Sequence, residues 1–100
     1  EKNLIMNFGR EFLKEREYQK GIKWIKYAAS HGCTDADFIL GYCYDIGIGV
    51  PKDAKIAEAF YLWGSNSSKR YGSYANRSGG AWLKQVREDG RRLYLGKPIK

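Results

Sequence analysis

Apolar residues along this chain recur at three- and four-residue intervals, the spacing that gathers them on one face of a helix. Leu4, Ile5, Phe8, Phe12 and Leu13 follow it and predict a first helix over about residues 4–14. After a short break at 15–17 the period resumes. Tyr18, Ile22, Ile25 and Ala29 share one face, with Gly21, Trp24 and Ala28 beside it, and predict a second helix over 18–30. Gly32 is the expected stop, because a glycine accepts the left-handed conformation that follows a last turn. Thr34 or Asp35 is the expected cap of a third helix reaching about Ile46, with Thr34 and Asp37 forming an imperfect capping box. A fourth helix is predicted over 54–63, a loop at 66–70 and a worn helix over 72–77. Past Ser78-Gly79-Gly80, a last helix is expected over 81–92, with Trp82, Leu83, Val86 and Leu93 as its apolar contacts. Residues 94–100 read as an extended arm.

The best-defined piece of this pattern is Ala36–Trp63. The run Phe38-Ile39-Leu40, with Tyr42 and Tyr44, is separated from Ile56-Ala57 and Ala59–Trp63 by Gly47-Ile48-Gly49-Val50-Pro51-Lys52-Asp53. The two glycines can take positive φ without a Cβ clash. Pro51 blocks continuation of the preceding helix, and Asp53 offers a side-chain cap to the next. Small residues at Gly41 and Ala57 would let the two helices approach closely. These features together predict a helical hairpin.

The hairpin occurs twice. Aligning Phe8-Gly9 with Leu40-Gly41 places Phe12 on Tyr44, and aligning Trp24 with Phe60 places Gly21 on Ala57, Ile25 on Tyr61 and Ala28 on Gly64. Phe12, Trp24, Tyr44, Phe60 and Tyr61 are therefore expected to fill the space between helices. The offsets are 32 residues for the first helices and 36 for the second, so the first copy is four residues shorter at its loop. Offsets of this size belong to helical-hairpin solenoids. The pattern Leu40-Gly41…Tyr44…Gly47-Ile48-Gly49-Val50-Pro51-Lys52-Asp53…Ala57…Phe60-Tyr61 resembles a Sel-one-like repeat (SLR), the glycine-loop relative of the tetratricopeptide repeat. The copy at 4–32 resembles a shorter, more tetratricopeptide-like unit through Trp24–Gly32, with its paired alanines and closing glycine. Together the two copies cover about 60 of the 100 residues. Gly64-Ser65 and Gly21 stand where the family usually has alanines, and the cysteines are not placed as in its disulfide-bridged members. The expected architecture is all-α: a short right-handed α-solenoid of two tandem hairpins, 1–32 and 33–65, followed by a degenerate repeat, basic cap and tail over 66–100. Two hairpins bury little core, and arrays usually need three or more units. With Glu1 rather than methionine at its start, the chain reads as a processed product or an excised piece. Two hairpins read as the end of a longer array or as a small protein held together by its cap or partner.

Composition adds two constraints. With 43% hydrophobic and 29% charged residues the chain has the makeup of a foldable domain, and no run approaches the roughly 18 apolar residues of a membrane span. The net charge of +7 lies wholly in the last third. Residues 1–68 carry nine basic and nine acidic side chains, while residues 69–100 carry nine basic against Glu88 and Asp89. Such asymmetry suits nucleic acid, an anionic membrane surface or an acidic protein partner. Cys33 and Cys43, ten residues apart, would stand roughly 15 Å apart on one helix, beyond the about 7 Å that a disulfide spans. Both are expected as free thiols, Cys43 packed and Cys33 near the surface, which points to a reducing, cytoplasmic compartment.

No catalytic constellation emerges. His31 is the only histidine and lies in a turn without a nucleophile or metal partner at fixed spacing. Gly47-x-Gly49 lacks the lysine of a phosphate loop, so no enzyme activity, metal or cofactor is expected. The resemblance implies a non-enzymatic protein-interaction module whose groove is lined by the first helix of each hairpin. Carried onto this chain, that face comprises Asn3, Met6, Arg10 and Lys14 from the first unit and Asp35, Phe38, Tyr42 and Asp45 from the second, with Tyr42 as its aromatic anchor. It implies a protein partner, with small inhibitors that neutralise a bacterial toxin as a variant of that role. The basic patch Lys69, Arg70, Arg77, Lys84, Arg87, Arg91 and Arg92, interleaved with Tyr71, Tyr74, Trp82 and Tyr94, carries the alternative of single-stranded nucleic acid held by charge and stacking.

Overall fold

The computed structural model describes residues 2–67 and 80–96, and all regular structure among them is helical: α1 (Lys2–Lys14), α2 (Tyr18–Ser30), α3 (Thr34–Ile46), α4 (Ala54–Ser67) and α5 (Gly80–Tyr94). The expected helix over 72–77 and most of the expected loop at 66–70 and arm at 94–100 lie outside the described residues. α1 packs on α2 and α3 on α4, α2 joins the two pairs through α3, and α5 lies chiefly on α3.

The duplication read from the sequence reappears as a duplicated contact. Gly9 lies against Ile25 across α1 and α2, and Gly41 lies against Tyr61 across α3 and α4. These are the partners that the alignment pairs with one another. Helix ends follow from local chemistry. At the end of α2, Gly32 takes φ 89° and the Cys33 amide donates to the Ala28 carbonyl at 3.1 Å, satisfying a carbonyl that the helix leaves unpaired. α3 stops at Gly47, in the left-handed region with φ 81°, whose amide donates to Cys43. Asp53 then caps α4: its Oδ1 accepts from the amides of Lys55 at 3.0 Å and Ile56 at 3.1 Å. A cap of this kind contributes about 1 kcal/mol.

Three expectations need correction. Neither Thr34 nor Asp35 caps α3: Cys33 occupies that position, without a side-chain cap bond. Its side chain turns inward instead, and the Sγ donates to the Met6 Sδ at 3.7 Å. Cys33 is therefore buried, not superficial, and neither cysteine forms a disulfide. α4 runs one turn beyond Trp63, because Gly64 is buried against Phe38 and Asp37 and Ser65 is buried beside it. Packing on α3 holds a turn that the sequence Gly-Ser alone would end.

The core runs through Leu13, Ile22 and Ile25 from the first pair, Phe38, Ile39, Leu40 and Cys43 from α3, Tyr61 from α4, and Val86 and Leu93 from α5. α5 is thus part of the core, not an appendage. It comes close to α3 at Gly90, where an added Cβ would lie 2.6 Å from the Phe38 carbonyl oxygen.

Candidate partner-binding surface

The part of the expected groove that α3 contributes is the part that α5 covers. Phe38 is only 2% exposed and Met6 only 5%, so neither is available to a partner. Phe38 lies between α4 of its own hairpin and α5, and Met6 of the first hairpin lies against Cys33 at the start of the second. Tyr42 is half-buried, its ring 5.4 Å from that of Tyr94 on α5. Asp45 accepts from the Tyr61 hydroxyl at 3.2 Å and from Arg87 Nε at 2.5 Å. From the first unit, Arg10 donates to the Asn7 side chain at 3.1 Å, its guanidinium lying beside Gly96. Lys14 remains exposed and pairs with Glu11 at 3.6 Å. The structure therefore brings Phe38, Tyr42 and Asp45 together along α3, but against α5. Asn3 has no described side chain.

Burial leaves its mark on the first turn of α3. Asp37, packed against Gly64, is pushed up to about 6 from its ordinary 3.8 by loss of hydration. Asp35 is also raised by burial, with Arg10 partly offsetting it. A carboxyl whose folded value exceeds its unfolded value stabilises the fold fully below the unfolded value and loses that contribution as pH rises through the folded one. Asp37 should therefore make the protein more stable at pH 5 than at pH 7.5. Asp37→Asn should raise the melting temperature at pH 7.5 and flatten the difference between the two. Thermal melts of both proteins at both pH values check this, and an unchanged pH slope in the variant would assign the effect elsewhere. The Cys43 thiol, fully buried, is pushed up to about 12 by the same cause, which suppresses the thiolate that nucleophilic chemistry needs.

The basic patch is largely engaged within the chain. Arg87 is committed to Asp45, Arg91 donates through two nitrogens to Glu88 at 2.9 and 3.2 Å, and Arg92 Nε lies 4.0 Å from the same carboxylate. Lys84 is exposed. Lys69, Arg70 and Arg77 lie outside the described residues.

A different surface stands open. Phe8 on α1 is 52% exposed, Trp24 on α2 40% and Tyr27 on α2 48%, although the repeat alignment assigns Trp24 to the core. Phe8 and Trp24 have ring centroids 6.4 Å apart, as do Trp24 and Tyr27, whose planes meet at 85°. The ladder continues to His31, its ring 4.3 Å from Tyr27, with Nδ1 2.9 Å from the Tyr27 carbonyl oxygen. Beside these rings lies an open hollow of about 760 Å³ lined by Lys20, Lys23, Trp24, Lys26, Tyr27 and Ser30. α2 contains three lysines and no acidic residue. Lys20 lies 3.4 Å from Glu17 at the helix start and 5.8 Å from the Phe12 ring centre.

The signal for this surface is present in the helical period. Gly21, Ile22, Ile25 and Ala28 are the buried residues of α2, and at 100° per residue they place Lys23 and Tyr27 on the opposite side, with Trp24 at the edge. The alignment of Trp24 with Phe60 obscures it. Phe60 is half-buried, stacked on Tyr44 5.6 Å away, whereas the outer side of the first hairpin has nothing packed over it among the described residues.

Among the described residues no three His, Cys, Asp or Glu side chains converge to hold a metal ion, and no helix is long and apolar enough to cross a membrane. No family model, no curated protein and no solved structure was found to match the chain.

Proposed function

We propose that this chain is a non-enzymatic protein-interaction module, built as a short right-handed solenoid of two SLR-like hairpins with α5 as its cap, and that it engages a partner protein through the outer face of the first hairpin. The observation that carries this reading is the exposure of Phe8, Trp24 and Tyr27 in one continuous ladder. Exposed aromatic clusters of this kind are costly to leave in water and mark contact surfaces. Trp and Tyr are also the residues most enriched among those that dominate binding energy. The solenoid reading rests on the duplicated Gly9–Ile25 and Gly41–Tyr61 contacts and on the sequence resemblance through residues 40–61.

Two observations weigh against the alternatives. The groove between α1 and α3 is closed at α3 by α5, and three of the four described cations of the basic patch are held by Asp45 or Glu88. The surface is tested by presenting the immobilised chain, and its Trp24→Ala and Tyr42→Ala variants, to the proteins of the source cell. Trp24→Ala should weaken capture of the specific partner about tenfold or more, and Tyr42→Ala should leave it unchanged. The reverse pattern would return the site to the α1–α3 face.

A further inference from the structure

The chemistry of the α2 surface narrows the kind of partner it fits, given the reading of that surface as the binding face, on which the narrower assignment rests. We propose that the outer face of α2 holds an acidic amphipathic helix of a partner protein. An apolar side chain of that helix enters the hollow against Trp24 and Tyr27, while its carboxylates pair with Lys20, Lys23 and Lys26.

Three features of the site carry this assignment. The first is shape. Trp24 and Tyr27 meet nearly at a right angle, 85°, with centroids 6.4 Å apart. They form the two walls of a notch rather than two parallel platforms, and the aliphatic stems of the neighbouring lysines extend its apolar lining. A branched aliphatic side chain fills a corner of that kind. Successive stacked bases need parallel faces.

The second is charge. The site has three lysines and no acid on the same helix, so an approaching acidic segment meets no like charge from α2. The third is register. Lysines at every third position rise about 4.5 Å and turn about 60° per step. Lys20 and Lys26 therefore lie roughly 9 Å apart along the axis and about 120° apart around it, with Lys23 midway between them. Carboxylates at i, i+3 or i+4, and i+7 on a partner helix span about the same distance. Such a helix lying over Lys23 brings carboxylates within reach of Lys23 and of the long side chains of Lys20 and Lys26 on either flank. It shares Lys20 with Glu17 and turns its apolar stripe into the hollow. An apolar centre with a charged rim is the usual anatomy of a specific interface. Three cations are too few to hold a nucleic acid firmly, since affinity there scales with the number of phosphates neutralised.

The test uses the full chain and a defined probe. A fluorescein-labelled helical peptide of about 16 residues, long enough to cover the 13-residue α2, carries leucines at i, i+3, i+4 and i+7 and glutamates flanking them. Its binding is followed by fluorescence anisotropy. An otherwise identical peptide with glutamine for glutamate and an oligothymidine of equal length serve as comparators. The acidic peptide should bind, and should weaken several-fold when salt rises from about 50 to about 300 mM. Trp24→Ala and Tyr27→Ala should each weaken it about tenfold, and Lys23→Glu several-fold. Both aromatic residues are exposed on a helix, so circular dichroism should confirm an unchanged fold.

Equal binding of the glutamine peptide, tighter binding of the oligothymidine, or no peptide binding at all would overturn the acidic-helix assignment. The first two outcomes leave the binding face itself standing, provided that Trp24→Ala abolishes them. If Trp24→Ala leaves the binding of every probe unchanged, the binding face is itself wrong.

Discussion

Replacing Tyr61 with alanine should cost about 3–5 kcal/mol, the range for deleting a buried aromatic side chain. That is a large part of the roughly 5–15 kcal/mol that holds a domain together. Tyr61 is the largest fully buried side chain among the described residues. Its ring fills the space left by Gly41, where an added Cβ would lie 2.4 Å from two ring carbons, and its hydroxyl donates to Asp45 at 3.2 Å. Asp45 in turn holds Arg87, so one side chain of α4 supports the contact between α3 and α5. Tyr61→Phe separates the two contributions. It keeps the ring and removes one hydrogen bond, so it should cost only about 1 kcal/mol. Urea unfolding of the three proteins checks both values. A cost below about 1 kcal/mol for Tyr61→Ala would mean that the site collapses around the lost ring, contrary to the close packing expected of such a core.

The second large effect concerns α5. In the middle of a helix, Gly→Ala ordinarily stabilises by about 1 kcal/mol. At Gly90 the sign should invert. The added methyl would meet the backbone carbonyl oxygen of Phe38 at 2.6 Å and the Tyr42 Cβ at 3.4 Å, and the backbone of α3 has no rotamer with which to give way. Overpacking of this kind costs about 1–3 kcal/mol, so Gly90→Ala should lower stability and loosen α5 from α3. Amide exchange should accelerate across residues 80–94 while α1 and α2 keep their protection. A stabilised Gly90→Ala protein would show that α5 does not lie so close.

The second hairpin is legible in the sequence almost completely because its determinants are local. Gly47, Pro51 and Asp53 act within a few residues of themselves, and the structure places Gly47 at the end of α3 and Asp53 as the cap of α4. The docking of α5 is a different matter. The period of Trp82, Leu83, Val86 and Leu93 marks a helix, but period cannot say which face of which helix will cover it. Sequence reasoning accordingly leaves Phe38 and Tyr42 in an open groove, whereas α5 lies on them. Gly90 is the one residue that could warn of it, since a glycine inside a helix commonly marks a close approach. At α2 the failure runs the other way. The alignment groups Trp24 with the core because its counterpart Phe60 packs there, yet equivalent repeat positions share an environment only when both have a neighbour to pack against.

The Gly47–Asp53 loop has a consequence beyond its own turn. Gly49 sits over the start of α2, where a Cβ would lie 2.7 Å from the Cβ of Tyr18, and its carbonyl accepts from Gln19 Nε2 at 3.3 Å. The loop of one hairpin therefore reads the first turn of the helix before it. Were such hairpins shuffled by recombination, the unit inherited intact could not be the hairpin alone. It would have to include the opening turn of the upstream helix, and a breakpoint between residues 19 and 49 would separate a loop from the surface that fits it.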